Sequence, residues 1–103
     1  MTETDIMNLI RMNLSEAGFT VFRVNVGKVK LSDGRWFDTG LPRGFSDLFA
    51  VKDGKAYFIE VKKPGGAVRP EQINFITQMK KHGCIAGIAH SVEEVAELVN
   101  GRT

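Results

Sequence analysis

The apolar positions along the chain follow two periods. Ile6, Leu9, Ile10, Leu14 and Ala17 recur at helical spacing, Thr2 or Thr4 can cap the start and Gly18 can end it, so residues 3–17 read as a helix. "FTVFRVNV", 19–26, alternates and is rich in β-branched and aromatic residues, which predicts a strand. Gly27, Gly34, Gly40, Pro42 and Gly44 then break the pattern, and 27–44 reads as a short hairpin around Asp33-Gly34 followed by a loop. "FSDLFAV" and "KAYFIEV" flank Asp53-Gly54, a strong hairpin signal because both turn residues tolerate positive φ. After Lys63-Pro64-Gly65-Gly66, Pro70 suits the first turn of a second helix, continued by Ile73, Ile76, Met79 and Lys80 up to Gly83. "CIAGIAH", 84–90, reads as a short strand. Ser91 with Glu94 makes a capping box for a last helix, 92–100, with Val92, Val95, Ala96 and Val99 turned inward.

The element order is therefore αβββ(β)αβα. Strands on either side of a helix usually run parallel, so the expected fold class is α/β, a central mixed sheet flanked by helices. A length of 103 residues favours one domain, 1–103. No apolar run approaches the roughly 18 residues of a membrane span, and "MTETDIMNLI" lacks the basic start of a signal peptide. Cys84 stands alone, without Cys or His at metal-site spacing, and reads as a buried strand residue. A cytoplasmic, reducing location without membrane contact is the expectation.

The net charge of +2 says little, but its distribution is uneven. Arg23, Lys28, Lys30, Arg35 and Arg43 face only Asp33 and Asp38 within 22–46, while Glu93, Glu94 and Glu97 gather near the end. The middle of the chain is where a polyanion would be held, if this is more than a solvated surface.

The informative stretch is "YFIEVKKPGG", 57–66. Glu60 and Lys62 lie two apart in a strand and so share a face. A two-residue turn at Asp53-Gly54 pairs Lys52 with Lys55 and, continuing, Asp47 with Glu60. Facing Cβ atoms lie about 4.5–5.5 Å apart, so two carboxylates would repel there unless a positive charge joined them. Lys62 supplies one charge; a divalent cation fits better, because Mg²⁺ accepts carboxylate oxygens and water. A Glu-x-Lys pair is more commonly a solvated surface ion pair. Against that stand the apolar neighbours Phe45, Leu48, Phe49, Phe58, Ile59 and Val61, and the Gly/Pro loop that follows.

Asp47 followed by Glu60-Val61-Lys62 resembles the signature of the PD-(D/E)XK nuclease superfamily. "GFSDLF", "FIEVKKPGG", Arg69, the following "EQ" and Glu3 at the first helix together resemble the VRR-NUC (virus-type replication-repair nuclease) domain, including the standalone form found in phages. Ser46 departs from the pattern, standing where the superfamily name has Pro. The resemblance implies a restriction-endonuclease-like αβββαβ core. It implies that Asp47 and Glu60 bind Mg²⁺ or Mn²⁺, with the Val61 carbonyl as a further ligand and Glu3 reaching the metal through water. Lys62 would position or activate the attacking water, and Gln72 would support Lys62 or the scissile phosphate. For Glu3 and Gln72 the alternatives are a first-turn acid favouring the helix dipole and a solvated first-turn residue.

Arg43, Lys63 and Arg69 flank this site, and Lys28, Lys30, Arg35 and Arg23 would extend a groove along a phosphate backbone. Trp36 and Phe37 would stack on a base, or else serve as core or as a dimer contact. Cutting both strands needs two active sites, most simply in a homodimer. Standalone members of the family it resembles look like homodimers and similar folds resolve four-way junctions, so the resemblance implies, as the leading expectation, a homodimeric, Mg²⁺- or Mn²⁺-dependent endodeoxyribonuclease acting on branched or four-way DNA. The alternatives are a non-catalytic DNA-binding subunit that keeps the fold, and a small interaction module.

Overall fold

The computed structural model describes residues 1–101, so the last two residues of the expected single unit lie outside the described residues. In chain order the elements are α1 (Glu3–Glu16), β1 (Thr20–Arg23), β2 (Lys28–Lys30), β3 (Trp36–Asp38), β4 (Leu48–Lys52), β5 (Lys55–Val61), α2 (Pro70–Lys81), β6 (Ile85–Ala89) and α3 (Val92–Val99). The main sheet has the order β1-β4-β5-β6, while β2 and β3 form a separate two-stranded ribbon. β1 with β4 and β4 with β5 are antiparallel, and β5 with β6 is parallel across the α2 crossover. The expected mixed sheet is therefore present.

Alternation along β4 and β5 divides the core. Leu48, Ile59 and Val61 turn to one side and bury Ile6, Met7, Ile10 and Leu14 of α1 with Val95 of α3. Phe49 and Phe58 turn to the other, against Ile76, Phe75 and Met79 of α2. The rings of Phe45, Phe58 and Phe75 meet with centroids 4.5–5.9 Å apart, the geometry aromatic pairs prefer. The turn behaves as its sequence predicts: Asp53 and Gly54 both have positive φ, 51° and 77°, and Lys52 pairs with Lys55.

Some boundaries and faces differ from the sequence expectation. The first strand is shorter than 19–26 and ends at Arg23; Val24 still donates its N–H to the Asp47 carbonyl (2.8 Å). On α2 the inward stripe runs through Gln72, Phe75, Ile76 and Met79, which leaves Ile73 49% exposed and Lys80 outside. On α3 Leu98 rather than Ala96 meets the sheet, filling the space above Gly87 of β6. Cys84 is half-buried just before β6. Ser91 Oγ accepts from Glu94 N–H as expected, but the Glu94 carboxylate reaches back to His90 N–H (3.0 Å), one residue beyond a standard capping box.

Candidate functional site

The ladder between β4 and β5 is paired as far as Leu48 with Ile59, and one further step brings Asp47 opposite Glu60. Both carboxylates line a cleft of about 460 Å³ on the α2 side of the sheet. Asp47 replaces a backbone partner at the strand end, since its Oδ2 accepts the Val61 N–H at 2.9 Å. Chain entry into β4, through Gly44 and Phe45, and the first turn of α2, through Gln72, close the cleft beside the acids.

Glu60 is only 2% exposed, and among the described residues no hydrogen-bond donor reaches its Oε2. A buried carboxylate oxygen without a partner is costly in its charged form. Burial, and then the Asp47 carboxyl beside it, pushes the Glu60 carboxyl up to about 8; Lys62 opposes the rise and Glu3 adds to it. Without a cation this position holds a proton at neutral pH. Two carboxylates facing across a ladder, one of them carrying an unpaired oxygen, are the kind of donor set a hard divalent cation accepts, completed by carbonyl oxygen or water. Among the described residues no cluster of three or more His, Cys, Asp or Glu is placed to hold a metal, so the side-chain donors here are these two acids.

The remaining residues singled out in the sequence fall into two groups. Arg43, Arg69, Lys28 and Gln72 line the same cleft as Asp47 and Glu60. Glu3, Lys62, Lys63, Lys30 and Arg35 do not. Lys62 is half-buried one pleat beyond Glu60, and its N–H extends the parallel ladder by donating to the Ala89 carbonyl (3.0 Å). Among the described residues no direct ion pair joins Lys62 to either acid. Glu3 opens α1, and its Oε2 accepts the Lys63 N–H at 3.4 Å, which ties that helix to the loop leaving β5. Arg35 is held at the ribbon tip by Asp33, Nε to Oδ2 at 2.7 Å.

Gln72 has a partner that its sequence position did not suggest. It is 3% exposed, and its Oε1 accepts the Arg69 N–H at 2.9 Å, fixing the loop where it turns into α2. The capping-box spacing from Arg69 to Gln72 was the available signal. Also unforeseen is the wall formed by Val26 and Gly27, which join Lys28 in the cleft. Ser46, the departure from the superfamily pattern, is fully buried, and among the described residues its Oγ has no partner.

The family model of the VRR-NUC domain matches residues 1–93. Among solved structures, the chain is similar to one described as a VRR_NUC domain, at 19% sequence identity, with 100% of both chains covered and a TM-score of 0.69. At that identity the likeness speaks for the fold. None of the curated proteins matches the chain.

Proposed function

The chain belongs to the VRR-NUC domain family, whose members are nuclease-type DNA-processing domains, and from that premise we propose that it is a Mg²⁺- or Mn²⁺-dependent endodeoxyribonuclease. Its substrates in this reading are branched DNAs, four-way junctions among them, met in replication, recombination or repair, and the working form is a homodimer. The observation that carries the proposal is the buried, unpartnered Oε2 of Glu60 facing Asp47 in a cleft walled by Arg43, Arg69 and Lys28. A solvated structural ion pair does not account for it, because Glu60 is buried and, among the described residues, no cation is paired with it.

Asp47, Glu60 and the Val61 carbonyl would hold the cation, which supplies Lewis acidity toward the phosphate and makes water nucleophilic at neutral pH. The chain's own groups do the rest. Arg43, Arg69 and Lys28 bind phosphate oxygens and orient the backbone over the acids. Gln72 keeps Arg69 in place by holding its N–H. Lys62, one pleat beyond Glu60, positions the attacking water and steadies negative charge developing on the phosphorus oxygens. Glu3 keeps the Lys63 backbone, and with it the exit of β5, against α1. Two copies would supply two sites for two strands.

The test is direct: labelled linear, flapped and four-way DNA, incubated with purified protein in Mg²⁺, Mn²⁺ or EDTA. Cleavage only with metal, and preferentially of branched DNA, is the expected result. Tight binding without cleavage in either metal would favour a non-catalytic DNA-binding subunit instead.

A further inference from the structure

The ribbon of β2 and β3 has two unlike faces. Its register sets Lys28 opposite Asp38, Val29 opposite Phe37 and Lys30 opposite Trp36. Successive side chains alternate, so Lys28, Lys30, Trp36 and Asp38 share one face while Val29 and Phe37 share the other. Trp36 is 65% exposed, unusual for so large an apolar ring. Among the described residues no other helix or strand packs closely on the ribbon, so Trp36 holds no core together.

The ribbon is also anchored at the cleft. Thr39 N–H donates to the Gly27 carbonyl at 2.9 Å and closes its base, and Gly27 and Lys28 line the cleft with Asp47 and Glu60. Lys28 therefore joins the lysine–tryptophan face to the cleft that holds the carboxylates. Asp38, on the same face, has its Oδ1 engaged by Gly40 N–H at 2.8 Å. Two cations beside an exposed ring, continuous with a basic cleft, complement a polyanion that offers free π-faces. A second copy laid on this face would set lysines against lysines.

We propose that this face is a platform for unpaired nucleic acid next to the cleft, with Trp36 stacking on an extruded base and Lys28 and Lys30 holding the flanking phosphates. The proposal rests on the nuclease reading of the cleft and adds to it the substrate feature recognised, a base freed from its stack. Stacking on an aromatic ring tolerates any base, so this contact reads strand structure and not sequence.

Trp36 is the only tryptophan of the sequence, so its emission reports on this face alone. The full chain is titrated in Ca²⁺ with a blunt duplex and with the same duplex carrying a single-stranded flap. The expected result is quenching by the flapped DNA and little change with the blunt duplex. Trp36→Ala weakens binding of the flapped DNA by about tenfold and leaves the blunt duplex unchanged, whereas Phe37→Ala alters neither. Unchanged emission at saturating flapped DNA, or wild-type affinity in Trp36→Ala, overturns the platform. So does an emission change that follows protein concentration without DNA, together with a sedimentation shift lost in Trp36→Ala, because a second copy then occupies the face. If wild type cuts DNA while Trp36 stays silent, the platform alone falls; if it neither binds nor cuts any DNA, the nuclease reading falls with it.

Discussion

Gly44 lies against the backbone carbonyl of Glu71, in the first turn of α2, with φ at +93°. A side chain is excluded there twice over, by the left-handed backbone and by main chain that cannot rotate away. This contact brings the loop before Asp47 up to the helix that carries Gln72. Gly44→Ala is expected to cost about 2–4 kcal/mol in urea unfolding and to lower cleavage more than stability alone explains, since α2 must shift. Gly87→Ala is the contrast: its Cβ would meet only the far end of Leu98, at 2.8 Å, so about 1 kcal/mol is expected. Equal costs at the two positions would contradict the backbone argument.

Asp47→Asn and Glu60→Gln should each abolish divalent-metal binding in Mn²⁺ titration calorimetry. Burial, and then the Asp47 carboxyl beside it, keep Glu60 protonated without metal, and neither replacement adds a buried charge, so the metal-free variants should be no less stable than metal-free wild type. Unchanged Mn²⁺ affinity in both variants would remove the site from these residues.

The raised Glu60 predicts how stability depends on pH. The carboxyl titrates at 4.5 in the unfolded chain and at about 8 in the fold. Below the lower value both states hold the proton and there is no penalty. Between the two values only the fold retains it, so stability falls as pH rises, and it levels off once the folded carboxyl ionises as well. Urea midpoints in EDTA should decline from about pH 5 to about pH 8, by a few kcal/mol at most, and Glu60→Gln should flatten the decline. Mn²⁺ should reverse the loss at the upper end, where it replaces the proton. A midpoint in wild type that rises over this window would refute the buried, proton-holding carboxyl.

The acidic pair was legible because it depends on local chemistry. Asp53-Gly54 admits one turn, that turn fixes one register, and the register sets Asp47 against Glu60 without reference to the rest of the fold. Less visible was what depends on packing between distant elements. Ile73 and Gln72 are neighbours in one helix, and only the aromatic cluster of Phe45, Phe58 and Phe75 decides that the amide faces in and the isoleucine out. Leu98 displaced Ala96 for the same kind of reason, since Gly87 leaves room that the larger side chain fills. The ribbon tip shows a third case: Arg35 reads as a free cation in the sequence, yet Asp33, two residues away, holds it.

Lys62→Ala should leave Mn²⁺ affinity largely intact and remove cleavage. The ammonium sits beyond Glu60 on its face and makes no ion pair with either acid, so the cation site does not depend on it. Single-turnover cleavage within about tenfold of wild type, roughly 1.4 kcal/mol in barrier, would show that the lysine is not catalytic.

Arg43, Lys63 and Arg69 bracket the carboxylates in sequence, but only Arg43 and Arg69 line the cleft. Lys63 is exposed on the loop after β5, with its backbone N–H turned to Glu3. All three contact phosphates rather than bases in the proposed reading, so neutralising one should weaken binding to every DNA sequence alike. Arg43→Gln and Arg69→Gln should each flatten the salt dependence by about one unit of slope, and Lys63→Gln by less. Mn²⁺ affinity should not change, because none of the three offers a ligand oxygen. Arg69 carries a second expectation, since Gln72 holds its N–H and not its side chain: Gln72→Ala should lower DNA affinity through a displaced Arg69, and that loss should vanish in the Arg69→Gln background. Affinities measured in Ca²⁺ over a salt series decide both points. Wild-type affinity and slope in the triple variant would mean that DNA does not approach over these loops, and Lys28 and Lys30 on the ribbon would then carry the contact.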